Sequence, residues 1–407
     1  MSSGEPSSID PTLVSAPLAA GLGPAAALVL AQWAEMEGYG FKLVRWLANG
    51  RSSAQVAVVR EAHQTGYRLL ILKIDLIRYD RLHLSERRRQ LDAFAESPRG
   101  FPARHLAETA HQSLPVGDGR WIVFQTLAGH SLESLVTLGV LLEALRRGEG
   151  SAETFTSASE RVVRSVLRDW AVHPMPKVAD MTAASFLQHA LTDKLRPETP
   201  LTSLAADLAA EKKIDVGRAG PLSNPFALLS GRLADPAGPF TPFLGRAHGD
   251  LNVENVLLPD GDPSNYRLID LAKYTPDAPL SRDPVYLVLY VVGRILPDLS
   301  PSQRDVLIDA LIGRPDPAER LPAWLADFIR RIRQVAAEWM EQASLTTEWR
   351  QQSLLSLVAC ALIYTTRKST DLPDRDWFLQ LAAHATDAYL GEEYRRGLTG
   401  GRADPAL

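Results

Sequence analysis

The chain has 407 residues, of which 45% are hydrophobic and 23% are charged, and its formal net charge is −4. These values are typical of a globular protein with a sizeable core. They exclude a mainly electrostatic nucleic-acid binder, which needs a basic face, but not a local basic groove. The single cysteine, Cys360, excludes an internal disulfide and predicts a reducing, cytoplasmic location. We expect its thiol to be buried and inert.

The N-terminal stretch predicts a flexible tail rich in Ser and Pro, followed by one surface helix. It lacks the basic start of a signal peptide. Its uninterrupted apolar part, residues 25–33, is far shorter than the ~20 residues that span a bilayer. We therefore predict no association with a membrane.

The next segment predicts an antiparallel meander of three strands, "GFKLVRWLANG", "SSAQVAVVREA" and "TGYRLLILKIDL", joined by tight turns. An amphipathic helix follows in "RLHLSERRRQLDAFAES", and two more strands flank the turn Gly117-Asp118-Gly119. After Gly129 the pattern becomes largely helical, with a mixed segment at Pro197–Pro239. A hairpin is predicted in "HGDLNVENVLL" and "NYRLIDLAKY", and helices follow from Asp283 to about Arg395.

Lys73 lies in the apolar pattern "LLILKID", at the predicted end of the third strand. An unpaired ammonium group is costly to bury, so Lys73 either extends to water or meets an acidic partner beside a bound anion. Glu86, which opens the following helix, is the partner that we predict. An acid at a helix N-terminus is also favoured by the helix dipole alone. Glu96, near the other end of this helix, is the alternative partner.

Three oxygen-bearing side chains cluster around the predicted hairpin. Asp250 and Asn255 are five residues apart in the loop before "NVLL", and Asp270 lies in the second strand. A hairpin brings these positions together, and Mg²⁺ prefers such oxygens together with substrate phosphates. The alternative is a polar turn and an isolated acid. Asp270 argues against it, because apolar residues flank it on both sides and an unpaired carboxylate there would be costly.

Together, "HGDLNVENVLL" and "LIDLAKY" resemble the catalytic loop and the metal loop of the protein-kinase-like superfamily. The branch of aminoglycoside and choline phosphotransferases has His-Gly-Asp, an Asn five residues after that Asp, and Ile-Asp in the second motif. The arrangement is also similar to bacterial ternary-complex-associated kinase-like domains, which accompany conflict and signalling systems. The resemblance spans residues 40–395.

This resemblance implies roles for the residues of the two loops. Asp250 would be the catalytic base or would position the acceptor hydroxyl, and His248 would brace the catalytic loop. Asn255 and Asp270 would hold Mg²⁺. Asp283 is similar to an acid that such kinases place before the next helix, and we expect a structural role for it.

The resemblance also implies how the nucleotide, ATP or GTP, is bound. Lys73 would contact the α- and β-phosphates, and Glu86 would hold Lys73. The segment "VFQTLAG" would be the hinge, with backbone groups of Gln125 to Leu127 binding adenine. The phosphate-covering loop "LANGRSSAQV" departs from the pattern because it has a single Gly, and Ser52 and Ser53 would donate hydrogen bonds to phosphate instead. The alternative is a simple hairpin turn.

The implied fold is α+β: a two-lobed protein-kinase-like fold with a small antiparallel-sheet N-lobe containing one helix, and a larger, mainly helical C-lobe. The chain would then comprise a flexible tail (1–20), an N-terminal helix with the nucleotide-binding N-lobe (21–129), a helical C-lobe with the catalytic and metal loops (130–396), and a second flexible tail (397–407).

Three functions are compatible with these features. The first is an ATP- or GTP-dependent, Mg²⁺-assisted phosphotransferase that moves the γ-phosphate to a hydroxyl of a small molecule. The second is a kinase-like, nucleotide-binding regulatory or scaffold module of a bacterial signalling or conflict system. The Gly-poor loop, the N-terminal tail and the long segment 130–247 favour it. This segment would form the acceptor pocket or contact a protein partner. The third, a kinase of proteins or nucleic acids, is disfavoured by the acidic charge and by the lack of an Ala-Pro-Glu segment.

Overall fold

The structure, a computed structural model, describes most of the chain. The described ranges are 10–46, 55–64, 66–76, 86–126, 136–171, 180–208, 210–216, 220–235, 238–259, 262–314, 320–341 and 345–400. The chain forms two compact units. Unit 1 comprises Met1–Val140 and Glu254–Tyr274, and unit 2 comprises Leu141–Val253 and Thr275–Leu407.

The helices and strands are numbered in chain order. The helices are α1 Ala16–Leu22, α2 Pro24–Glu37, α3 Glu86–Glu96, α4 Phe101–His105, α5 Leu138–Arg146, α6 Ala152–Ser165, α7 Ala183–Ala190, α8 Pro200–Leu208, α9 Pro225–Leu229, α10 Arg282–Ile295, α11 Pro301–Ile312, α12 Ala323–Glu341, α13 Thr346–Thr365 and α14 Leu372–Gly400. The strands are β1 Gly40–Trp46, β2 Val56–His63, β3 Gly66–Leu76, β4 Leu114–Gly117, β5 Arg120–Thr126, β6 Val136–Thr137, β7 Lys213–Asp215, β8 Pro221–Ser223, β9 Leu244–Ala247, β10 Val256–Leu258, β11 Arg267–Leu268 and β12 Thr275–Pro279.

The main sheet of unit 1 has the order β1-β2-β3-β5-β4, and every neighbouring pair of strands is antiparallel. This confirms the predicted meander, the two later strands and the helix α3 between them. The side chains of β3 alternate, so that Leu70 and Leu72 lie on one face of the sheet and Leu69 and Ile71 on the other. Each face is buried against a different segment of the chain.

The N-terminal helices cover the first face of this sheet. Leu18 of α1, together with Leu30 and Trp33 of α2, belongs to the same apolar core as Phe41 and Phe124. The ring of Trp33 lies 5.9 Å from that of Phe41 and 5.2 Å from that of Phe124. The prediction of one surface helix is therefore wrong. The chain has two helices here, and they cover this apolar face of the sheet.

The predicted N-terminal tail is also too long. Within its described part, from residue 10 on, Val14 is buried and forms a bridge with Phe41, and α1 begins at Ala16. At the other end, α14 continues to Gly400 and so includes the first residues of the tail predicted at 397–407. Apolar packing against the sheet explains the difference at the N-terminus.

The hairpin β10–β11 packs against the second face of the main sheet. Leu257 and Ile269 form an apolar cluster with Val58 and Ile71. The hairpin also pairs with β6, in the order β11-β10-β6. The predicted division at residue 129 is thus incomplete, because the chain returns to unit 1 and takes Asn255 and Asp270 with it. The described residues of His248 to Val253 belong to unit 2.

Unit 2 is mainly helical in its described part. Helices α10 to α14 occur where the five C-terminal helices are predicted. The mixed segment Pro197–Pro239 contains α8, the paired strands β7 and β8, and α9. Strand β9, which leads to His248, pairs antiparallel with β12. Within the described ranges, every helix is too short or too polar to cross a membrane.

Replacing Trp33 with alanine tests the role of α2 in the core. Trp33 is 6% exposed, so we expect the variant to lose about 3–5 kcal/mol of unfolding free energy through the cavity that it leaves. The matched control is Met36→Ala on the same helix, because Met36 is 75% exposed and should change stability by about 0.5 kcal/mol or less. Urea unfolding measures both, and equal effects would contradict the assignment of α2 to the core.

Candidate functional site

Lys73 lies inside β3, where Val56 and Val123 are its cross-strand neighbours. Its side chain is 8% exposed, and its Nζ forms an ion pair with Oδ1 of Asp270 at 2.9 Å. The alternative of a lysine that extends from the strand end to water is therefore wrong. Because a buried ammonium group is costly without an anion, the carboxylate of Asp270 accounts for the burial of Lys73.

Asp270 has an unusual backbone conformation. Its φ of 59° and ψ of 57° lie in the left-handed region, between β11 and a short turn of helix, Leu271–Lys273. A residue other than glycine costs about 1–2 kcal/mol in this region, although Asp tolerates it better than most. Such strained residues cluster at functional sites. The conformation directs the carboxylate to Lys73 while 29% of the side chain remains exposed.

Helix α3 holds the segment that follows Asp270. Arg89 donates a hydrogen bond through Nη1 to the carbonyl of Tyr274, and the Tyr274 hydroxyl donates one to Glu96 at 2.7 Å. Glu96 thus binds Tyr274, and the alternative prediction that it binds Lys73 is wrong. Glu86 begins α3, but its side chain lies outside what the structure describes, so its pairing with Lys73 stays a prediction.

Asn255 directly precedes β10 and is buried. Its carbonyl accepts a hydrogen bond from the amide of Ile269 at 3.1 Å. The predicted hairpin is confirmed by this bond and by the pairing of Val256 with Leu268. It places the backbone of Asn255 opposite Ile269, which is next to Asp270.

The donor set of unit 1 fits a magnesium ion. Among the described residues, His, Cys, Asp and Glu form no group of three or more that could hold a metal. An all-protein cage is not what Mg²⁺ requires, since it usually takes one or two carboxylates, keeps waters and shares substrate phosphates. The carboxylate of Asp270, paired with the cationic Lys73, and the side-chain amide of Asn255, whose backbone lies opposite Ile269, are suited to a metal that arrives with a phosphate.

The other predicted nucleotide contacts are described only in part. Ser52, Ser53 and Leu127 lie outside the described residues. Gln125 is buried in the sheet, paired with Ile71 and bridged to Thr109, and its side chain donates to Gln90 of α3 at 3.1 Å. Its side chain therefore ties α3 to the sheet, while adenine binding by its backbone stays a prediction.

In unit 2, the loop after β9 is held by Asp283 of α10. The two carboxylate oxygens accept hydrogen bonds from the amides of His248 at 2.7 Å and Gly249 at 2.9 Å. Burial raises the pKa of Asp283, while the charge of His248 and the two amides oppose this shift. The expected structural role of Asp283 thus has a physical basis. His248 itself is fully buried, and Asp250 follows it half-buried.

Two further polar residues, which precede Asn255 in the sequence, make specific contacts. Asn252 is 5% exposed and donates from Nδ2 to the carbonyl of Asp250 at 3.0 Å, which stabilises the backbone at that residue. Glu254, in unit 1, lies beside Thr137 and Gly139 at the start of α5.

Cys360 is buried in α13, as expected. Burial raises the pKa of its thiol to about 12. The thiolate, which is the nucleophilic form, is therefore scarce, and we assign no chemical role to this residue.

Replacing Asp283 with alanine tests how the catalytic loop is held. We expect a loss of about 1–3 kcal/mol of unfolding free energy, because two buried amides lose their acceptor while an unfavourable buried carboxylate is also removed. Asp283→Asn, which keeps one acceptor oxygen, should lose less. Urea unfolding measures both variants.

The pH dependence gives a second readout for Asp283. Since its pKa is higher in the folded than in the unfolded chain, the folded state binds more protons between the two values. The native protein should therefore lose stability as the pH rises from about 4, the ordinary pKa of Asp. This loss of stability with rising pH should be absent in Asp283→Asn. If it persisted in the variant, Asp283 would not be its source.

Comparisons with known proteins complete the description of the site. No protein-family profile and no curated protein matches the chain. Solved structures match the chain at low sequence identity. They include a glucosamine kinase in complex with glucosamine, ADP and inorganic phosphate (17% identity, 93% of this chain and 88% of that chain, TM-score 0.44). Another is an ethanolamine kinase from Plasmodium vivax, at 12% identity over 88% of this chain and 84% of that chain, with a TM-score of 0.38. A third is the aminoglycoside phosphotransferase APH(3'')-Id from Streptomyces rimosus, at 16% identity over 70% of this chain and 92% of that chain, with a TM-score of 0.33. Because these TM-scores lie below 0.5, the function of this chain has to be inferred from its own side chains.

Proposed function

We propose that the chain is an ATP- or GTP-dependent phosphotransferase that moves the γ-phosphate to a hydroxyl of a small molecule with the help of Mg²⁺. The observation that carries this proposal is the ion pair between the buried Lys73 and Asp270, with Asn255 directly before the adjoining strand β10. A cation for phosphate and oxygens for the metal are the parts that phosphoryl transfer requires.

In this proposal, Lys73 contacts the α- and β-phosphates, and Asp270 and Asn255 hold the metal. Mg²⁺, when bound, neutralises charge on the phosphates. The left-handed backbone of Asp270 and its ion pair with Lys73 orient the carboxylate before the nucleotide arrives. A preorganised group of this kind needs little rearrangement during the reaction.

Asp250 is the proposed base. It takes the proton of the acceptor hydroxyl while the acceptor oxygen bonds to the γ-phosphorus. The bond between that phosphorus and its bridging oxygen breaks, and the nucleoside diphosphate leaves. His248 and Asp283 support this role by holding the backbone immediately before Asp250.

The experiment combines binding and turnover. Calorimetry with ATP and with GTP, each with Mg²⁺ or EDTA, should show binding that depends on Mg²⁺. ADP or GDP release is then measured with water alone and with a panel of hydroxylated compounds that begins with glucosamine, ethanolamine and aminoglycosides. Absence of nucleotide binding would contradict the proposal. Binding without turnover of any compound would support a regulatory or scaffold module instead.

A further inference from the structure

A buried tyrosine of α10 lies beside the proposed base. Tyr286 is 5% exposed, and its hydroxyl interacts with the carboxylate of Asp250. The same hydroxyl accepts a hydrogen bond from Nη1 of Arg367 at 3.2 Å. Tyr286 therefore connects an arginine to Asp250, and all three residues belong to unit 2.

Arg367 is fixed in place by aromatic rings. Its guanidinium lies 5.2 Å from the ring centre of Tyr364 and 5.7 Å from that of Tyr290. Its carbonyl accepts a hydrogen bond from Arg375 at 3.0 Å, which anchors the backbone just after α13. Cations at such distances from ring faces are attracted by the ring electrons. The guanidinium is thus held where it polarises the Tyr286 hydroxyl.

The charge states suit a directional chain of hydrogen bonds. Burial and the charge of Asp250 raise the pKa of Tyr286 well above its ordinary value, so its hydroxyl stays protonated. Burial by itself would lower the pKa of Arg367, but Tyr286, Tyr364 and Asp250 raise it, so the guanidinium stays charged. Arg367 donates to the Tyr286 oxygen, which leaves the hydroxyl proton for the carboxylate of Asp250.

We propose that Tyr286, polarised by Arg367, is a positioning residue that orients the carboxylate of Asp250 for proton abstraction. The proposal rests on the proposed phosphotransferase function. A carboxylate that accepts a bond from a fixed phenol has one oxygen anchored and the other available to the acceptor hydroxyl. A donor to the ionised form also keeps Asp250 ionised, as a base must be.

The kinetic test compares Tyr286→Phe with Tyr389→Phe. Tyr389 is also buried in unit 2, and its hydroxyl donates to another acid, Asp235, at 3.1 Å. Both variants remove the hydroxyl of a buried tyrosine that interacts with an aspartate. In the ADP-release assay, we expect Tyr286→Phe to lower kcat about 10- to 100-fold with little change in the KM for ATP, as for a lost hydrogen bond to a charged group. Tyr389→Phe should keep the native kcat.

The second test is a double-mutant cycle read by thermal unfolding. If Tyr286 donates to Asp250, Tyr286→Phe should lower the Tm in the native background and have a smaller effect when Asp250 is already Ala, which has no acceptor oxygen. Equal shifts in both backgrounds would overturn the contact. Coupling with an unchanged kcat would overturn the positioning role. A native protein that binds nucleotide but turns over no compound would overturn the proposed function, and this outcome is visible before any variant is made.

Discussion

The Asp270→Asn variant is expected to lose the dependence of nucleotide binding on Mg²⁺. The amide keeps the size of the side chain and tolerates the left-handed backbone, so the change is mainly one of charge. Without the carboxylate, Asn255 is the remaining proposed metal ligand, and phosphoryl transfer should fall by about 10²–10³-fold. Calorimetry with ATP in Mg²⁺ and in EDTA should give similar affinities for the variant and different ones for the native protein.

Asp118→Asn is the matched control for this experiment. Asp118 also belongs to unit 1 and has a positive φ of 51°, but it lies exposed in the turn between β4 and β5. The control should keep both binding and turnover. If Asp270→Asn retained full Mg²⁺-dependent binding, the metal would have to be held elsewhere, and the proposed role of the ion pair with Lys73 would be wrong.

Replacing Asp250 with asparagine should separate binding from chemistry. Asp250 lies in unit 2, whereas the proposed phosphate and metal contacts Lys73, Asn255 and Asp270 lie in unit 1. We therefore expect the variant to bind Mg²⁺ and ATP with native affinity. Its kcat should fall about 10²–10⁴-fold, the usual contribution of a general base. Calorimetry and single-turnover assays measure the two effects independently.

The control for Asp250 is Asp298→Asn, in the same unit. Asp298 is 54% exposed and pairs with Arg146, so its loss should leave kcat unchanged and alter stability by at most about 1 kcal/mol. A kcat for Asp250→Asn within a few-fold of the native value would exclude the residue as the base. A parallel loss of nucleotide affinity would point to a role in folding the loop instead.

Local patterns predicted much of unit 1. The alternation of apolar residues and the tight turns were sufficient to predict β1 to β5 along the chain. The stretch "NYRLIDLAKY" predicted a strand that includes Asp270, but β11 ends at Leu268 and Asp270 lies after it. The sequence predicted Lys73 at the end of its strand, but β3 continues to Leu76. The ion pair of Lys73 with Asp270 was also not predicted, because Asp270 is 197 residues away in sequence and only the folded chain brings the two together.

The packing of α2 could not be predicted for a different reason. Its sequence "PAAALVLAQWAEME" has apolar residues on most faces, so periodicity does not indicate which side is buried. Only the apolar face of the sheet determines that Trp33 and Leu30 pack inward. The role of Tyr286 could not be predicted either. It lies in the apolar run "PVYLVLYVV", whose pattern does not indicate that the hydroxyl of Tyr286 contacts Asp250 and Arg367.

The return of the chain into unit 1 has a consequence for synthesis on the ribosome. Residues up to Val140 emerge first, but Glu254–Tyr274 completes the same unit only after 134 more residues (274 − 140) have been added. At ordinary elongation rates this takes on the order of ten seconds. During that interval the nascent chain lacks the hairpin that covers Val58 and Ile71, and Lys73 lacks the carboxylate of Asp270. A nascent chain that ends before residue 254 exposes an apolar surface of the kind that chaperones bind. An N-terminal fragment made without residues 254–274 would keep that surface exposed.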